Sequence, residues 1–311
     1  MTRKLLIVAD PGIDSAFAIS LAVTDPELEV VGLAATAGNV GADRATCSLH
    51  ALVEFLDPPR WPRFGAALPV DYERQATDLH GPDGLGGMSF PEVRLHHPTP
   101  SDKLIADLAR EHSGELTLLV LGPLTTLARA LDRDAELPRN LPALVIVGGA
   151  RHEPGDASAV AEFHFWCDPE AARQVLHCGA SVTLIPLDVS RKLTLPPGDI
   201  RLLPAAETRV GQLLRKVVQG GLSPTAGLYG IEGVYLDAVL GLAAITCPQA
   251  LTLKPVPADV ETRGELTRGM SVFDTRWAAS ARPNLDLVVD VDLPRVRQYI
   301  QQRLEALGGG S

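Results

Sequence analysis

KLLIVADPGIDSAFAISLAVT, from Lys4 to Thr24, is an apolar run, a break, and a segment whose apolar residues sit between small ones. Leu5-Leu6-Ile7-Val8 is short and rich in strand formers, as a buried parallel strand is. Pro11 and Gly12 end it, because proline donates no backbone hydrogen bond and glycine permits a tight reversal. From Ser15, the placing of Phe17, Ile19, Leu21, Ala22 and Val23 predicts a packed helix. Asp10 and Asp14 then lie on a strand-to-helix turn, and in open α/β sheets that carboxyl edge is where ligands bind. The plainer account is that Asp14 caps the helix and Asp10 supports the turn.

Outward from this unit the pattern repeats. Strands are predicted at Leu28–Ala35, Leu116–Leu121, Leu144–Val147, Val182–Leu187, near Leu251, and at Leu285–Val291. Helices are predicted at Ala42–Leu56, Asp102–Glu111, from Pro169, at Ala205–Val218, from Asp237, and at Leu293–Leu307. Arg60 to Leu95 is loop-rich and holds the glycine cluster HGPDGLGG. Gly220 to Gly233, with Tyr229 inside it, reads as a mobile loop. Alternating strands and helices imply an α/β fold with an open, mostly parallel sheet flanked by helices and a Rossmann-like core. With no repeat and no long linker, residues 1–307 form one domain and 308–311 a flexible tail.

The 311 residues are 46% hydrophobic, ample for a buried core. Lys plus Arg number 28 against 38 Asp plus Glu, a net charge of −10, which argues against nucleic acid or an anionic membrane as partner. Cys47, Cys167, Cys178 and Cys247 are scattered without a C-x-x-C pair, as buried thiols in a reducing compartment are. The first apolar run is too short for a signal segment, and no stretch approaches the roughly 20 apolar residues of a membrane span. A soluble cytoplasmic protein is expected.

Polar residues fall repeatedly at strand ends: Asp10 and Asp14, then Asn39, then Thr125, then Asp156, Glu162 and His164. Each alone could be a cap or turn residue. Gathered at one sheet edge they make an acidic pocket suited to a hard cation among oxygen ligands.

DPGID at 10–14, AGN at 37–39, HGPDGLGG at 80–87, GPLT at 122–125 and VGG at 147–149 occur in that order. AEFHFWCDPEAA at 161–172, PLDVSRK at 186–192, LDA at 236–238 and RGELTRG at 263–269 follow. In order and spacing the chain resembles the inosine-uridine-preferring nucleoside hydrolase family almost end to end. The resemblance implies hydrolysis of the N-glycosidic bond of a small-molecule nucleoside, with calcium on the first turn. It assigns Asp10 as general base and metal ligand, Thr125 as a carbonyl ligand and Asp237 as a further carboxylate. Asp14, Asn39 and Glu162 would hold ribose hydroxyls, with Asp156 and His164 at two further ribose positions. It also implies a homodimer or homotetramer. A carboxylate-rich pocket suits the chemistry, because departure of the base leaves an oxocarbenium-like sugar.

The sequence departs from the family pattern DxDPGxDD at Val8 and Ser15. Ser15 stands where a metal carboxylate is expected, and losing one carboxylate of three weakens calcium binding by on the order of 10²-fold. Asp156 and His164 replace ribose-site asparagines, and Leu236 replaces a histidine that could protonate the leaving base. Three readings compete: Asp156 restores the missing charge; His164 selects a softer divalent ion; or the metal is lost and the protein only binds a ribosyl compound. On the base side, His80 or Tyr229 could help the leaving group, or Trp166 could stack on it, although a Trp in an apolar run more often belongs to the core. An aspartyl phosphatase is set aside, since Val8-Ala9-Asp10 offers one aspartate where that chemistry wants two.

Overall fold

The computed structural model describes residues 2–88, 90, 96–276 and 281–308. In chain order the strands of the main sheet are β1 (Arg3–Ala9), β2 (Leu28–Ala35), β3 (Arg63–Gly65), β4 (Leu116–Leu121), β5 (Ala143–Val147) and β6 (Val182–Ile185). Two short strands, β7 (Thr194–Leu195) and β8 (Val234–Tyr235), pair with each other, and β9 (Leu251–Val256) returns to the main sheet. A second ribbon joins β10 (Ala258–Val260) to β11 (Ser271–Phe273), and β12 (Leu285–Val291) completes the set. The eight-stranded order is β3-β2-β1-β4-β5-β6-β12-β9, parallel except for β9 against β12.

This order places the site. From β1 the chain builds outward through β2 to β3, then crosses back to lay β4 on the other side of β1. The direction of winding therefore reverses at β1, and the crevice outside the carboxyl ends of β1 and β4 is the ligand position of such sheets. Asp10 follows β1 directly, and Thr125 follows β4.

Alternation along β1 divides the core. Leu5, Ile7 and Ala9 face one apolar layer, while Leu6 and Val8 face the other. All five are fully buried, so β1 is a central strand covered on both faces.

The predicted elements are recovered with informative exceptions. The helix predicted at 205–218 runs instead from Arg209 to Tyr229, started by Thr208, whose Oγ1 accepts the Gly211 N–H at 3.0 Å. Tyr229 is thus the last residue of a long helix and not part of a mobile loop. Local propensity reads Gly220-Gly221 and Pro224 as a break. Packing overrides it, since Gly221 lies against Ile13 and Val234 while Gly220 lies against the backbone of Gly86. The strand at Val182 stops at Ile185, because Pro186 cannot extend the ladder and Leu187–Ser190 turns helical. The loop-rich stretch after Arg60 contains β3 and a short helix, Thr77–His80. The final helix, Leu293–Gly308, includes Gly308, which the sequence assigned to a tail; residues 309–311 lie outside the described residues.

Candidate active site

The helix Ile13–Thr24 begins after Gly12, and no side chain caps it. Asp14 is therefore not the N-cap. It lies in the first turn, and its Oδ2 accepts the Ala238 N–H at 3.1 Å, tying this helix to the one that starts at Asp237. Gly38 is required beside it, since a Cβ there would collide with Oδ2 of Asp10. That oxygen accepts the Asn39 N–H at 2.9 Å, and the Asn39 side chain donates to the Pro11 carbonyl at 3.1 Å.

Asp10, Asp14, Asn39, Asp156, Glu162, His164, His80, Tyr229 and Asp237 all line one cleft. With its open mouth included it has about 1090 Å³ of empty space, ample for a nucleoside. Burial pushes the Asp10 carboxyl up to about 7, opposed by the nearby His164. Burial, then Asp14, pushes Asp237 up to about 7 as well.

His164 is the cation among these acids. Its Nε2 lies 3.7 Å from Asp10 Oδ2 and its Nδ1 3.3 Å from Glu162 Oε1. Burial pulls its pKa down, but Glu162, Asp10, Asp156 and Asp14 outweigh this and hold it at about 9. Glu162 is the N-cap of the helix Phe163–Cys167, accepting the His164 and Phe165 N–H groups, and it also takes the Gly149 N–H at 2.9 Å.

Asp156, the candidate for restoring the missing charge, lines the cleft with both oxygens already engaged. Its Oδ1 accepts the Phe163 N–H at 2.8 Å, and its Oδ2 is ion-paired to Arg191 at 2.9 Å. Ser15 is engaged locally too: its hydroxyl donates to the Asp10 carbonyl at 2.8 Å and approaches that of Gly12 at 3.2 Å. The Thr125 hydroxyl donates to Asp168 at 2.6 Å and meets Tyr72 Oη at 2.8 Å, leaving its main-chain carbonyl as the donor the resemblance assigns.

Of the donors that the resemblance assigns to a cation, Asp10 and Asp237 line the cleft, whereas Thr125 and Ser15 are not among its lining residues. Oδ1 of Asp237 is buried without a hydrogen-bond partner, which is the condition of an oxygen suited to a ligand. Among the described residues, however, no three His, Cys, Asp or Glu side chains form a metal cage. Two cleft-lining carboxylates, one buried and the other with an unpartnered buried oxygen, are donors of the type that a hard dication uses.

On the base side the candidates separate. The Ile13 N–H donates to Nδ1 of His80 at 3.2 Å, so the His80 proton is on Nε2. Burial also lowers the His80 pKa, keeping the ring neutral. Trp166 does not line the cleft; Arg268 packs over its ring at 5.7 Å and donates to its carbonyl. Sequence reasoning missed Arg191, Tyr235 and Arg74, all of which line the cleft. Arg191 stood inside the quoted motif PLDVSRK, and the signal was a basic residue at a strand's carboxyl end.

Residues 5–298 match the sequence profile of the family described as inosine-uridine preferring nucleoside hydrolase. The chain belongs to that family. It is 32% identical to a probable uridine nucleosidase 2 of Arabidopsis thaliana, covering 97% of each chain. It is 31% identical to the non-specific ribonucleoside hydrolase RihC of Escherichia coli, over 98% of this chain and 99% of the relative. A purine-preferring ribonucleoside hydrolase from Gardnerella vaginalis superposes with a TM-score of 0.91 at 25% identity, covering 99% of this chain and 100% of that one. A plant nucleoside hydrolase gives 0.89 at 28% identity, over 98% and 100%. The chain is accordingly a ribonucleoside hydrolase of the open parallel-sheet type.

Proposed function

We propose that this member hydrolyses the N-glycosidic bond of ribonucleosides with Asp10 as general base. The observation that carries this is the buried Asp10 carboxylate at the sheet's switch point, lining a nucleoside-sized cleft. A carboxylate placed there can take a proton from the attacking water. Asp14, Asn39 and Glu162 orient the ribose hydroxyls, with Asp156 and His164 beside them. The surrounding carboxylates favour the positive sugar that develops as the base departs.

A divalent cation, calcium by family resemblance, would be held by Asp10, Asp237 and the Thr125 carbonyl, with the Ser15 hydroxyl a weak neutral donor. Bound there it would acidify a water and anchor sugar hydroxyls. The support is the unpartnered Asp237 oxygen.

Self-association as a homodimer or homotetramer is inferred from the family resemblance, and sedimentation would test it. A reducing, cytoplasmic setting is supported by the free thiols of Cys167, Cys178 and Cys247. No helix among the described residues is long and apolar enough to cross a membrane.

The deciding experiment is a panel of purine and pyrimidine ribonucleosides assayed after chelation, with calcium or other divalent ions added back. Reducing-sugar release restored by calcium is expected. No release from any nucleoside with any ion would leave a ribosyl-binding protein, the second reading, which the neutral Ser15 and the cationic His164 beside Asp10 favour.

A further inference from the structure

The leaving base needs help that none of the expected acids supplies well. Leu236 is apolar and buried, Tyr229 is a weak acid whose burial holds it near 12, and His80 is held neutral. Arg74 and Arg191 are fixed positive charges lining the cleft, and Arg191 is the one packed against Tyr229. It follows the short helix after β6, and β6 lies three strands from β1 in the sheet, roughly 14 Å at ordinary strand spacing.

The guanidinium is placed with care. It is anchored on one edge by Asp156 at 2.9 Å, and its carbon lies 4.9 Å from the Tyr229 ring centre and 5.4 Å from that of Tyr235. Tyr235 directly precedes Leu236, the position that by family resemblance would face the base. Nε of Arg191 is buried with no hydrogen-bond partner. An arginine that lines a ligand cleft and is pinned by a carboxylate and two aromatic faces is a preorganised site for a developing anion.

We infer that Arg191 is the leaving-group residue of this enzyme, stabilising the departing nucleobase as an anion instead of protonating it. The inference rests on the hydrolase reading and deepens it. The C1′–N bond breaks and its electron pair moves onto the base nitrogen. Water oxygen bonds to C1′ and gives its proton to Asp10, which returns it to solvent. The base anion, held by Arg191, takes a proton from water on release. Arginine does not deprotonate in proteins, so its help consists of charge and hydrogen bonds.

The test compares uridine with a nitrophenyl riboside, whose leaving group is acidic enough to depart unaided. Arg191→Ala should lower kcat on uridine by about 10²- to 10³-fold, the usual loss for one transition-state donor, and lower it far less on the nitrophenyl riboside. Added millimolar guanidinium should recover part of the uridine rate, which also shows that the variant is folded. Arg191→Lys, a cation without the planar fork, should fall between. Equal losses on both substrates, or a loss confined to KM, would overturn the assignment. Wild-type enzyme inactive on both would instead overturn the hydrolase reading beneath it.

Discussion

Nε2 of His164 lies 3.7 Å from Oδ2 of Asp10, so the general base of the proposed reaction has a protein cation as its neighbour. Four carboxylates keep that imidazole protonated at neutral pH, its pKa standing at about 9 against a burial penalty. A positive charge at this distance opposes any dication sharing Asp10. His164→Asn removes the charge and keeps a hydrogen-bonding side chain. Calcium affinity of the chelated protein, measured by calorimetry, should rise by about 10-fold or more. Unchanged affinity would mean that the imidazole does not compete for the site.

Ser15→Asp addresses the other half of the same balance. The serine hydroxyl is turned onto the carbonyls of Asp10 and Gly12, where it holds the turn but adds no charge. A carboxylate there should tighten calcium by on the order of 10²-fold and raise nucleoside turnover at limiting calcium. Calorimetry showing no gain would place Ser15 outside the coordination sphere.

Asp10→Asn should abolish base release while the protein stays folded. The amide oxygen can still accept the Asn39 N–H, which Asp10 now accepts at 2.9 Å. The sign of the stability change separates inactivity from misfolding. With its folded pKa raised to about 7, ionised Asp10 destabilises the fold above the ordinary carboxyl range, and fully so above about 7. Neutral asparagine should therefore raise the thermal midpoint at pH 8, with the gain shrinking as the pH falls towards 4. Unchanged turnover would remove Asp10 from the mechanism.

Much of this site was legible because strand-to-helix turns are written in local chemistry. Asp10 stood out because Pro11 and Gly12 end an apolar strand beside it, and Asn39 because a second strand ends just before it. What resisted was anything decided by a distant partner. That Asp156 is neutralised depends on Arg191, 35 residues away, and the orientation of His80 depends on the Ile13 amide, 67 residues away. Tyr229 was misplaced in a loop because Gly220, Gly221 and Pro224 carry a local preference that tertiary packing overrules. Trp166, a stacking candidate more readily given to the core, lies outside the cleft with Arg268 over its ring, and no local pattern shows which face of a five-residue helix meets the cleft.

His80 gives the pH prediction. Its Nδ1 accepts the Ile13 N–H, and burial lowers its folded pKa below the ordinary value of 6.5. The neutral ring's contribution is present above 6.5 and is lost as pH falls through the folded pKa, because the unfolded chain binds the proton more readily. Between pH 7 and 5 this loss opposes the gain from protonating Asp10 and Asp237, both held up at about 7. His80→Gln, whose side-chain oxygen can still accept that amide proton, should therefore make urea stability at pH 5 relative to pH 7 higher than in the unsubstituted protein. A pH profile unaltered by the substitution would remove His80 from the acid response.

The contact between Gly220 and Gly86 joins the long helix Arg209–Tyr229 to the glycine-rich loop that follows His80. A Cβ on Gly220 would collide with the Gly86 carbonyl oxygen, and backbone cannot rotate aside as a flexible side chain can. Alanine favours a helix over glycine by roughly 1 kcal/mol, so propensity alone predicts that Gly220→Ala stabilises the protein. Overpacking of a close backbone contact costs about 1–3 kcal/mol and should win. The expected result is a lower thermal midpoint together with a higher KM, because displacing the loop moves His80 at its head and Tyr229 at the helix end. A midpoint raised by the substitution would show that loop and helix are free to separate.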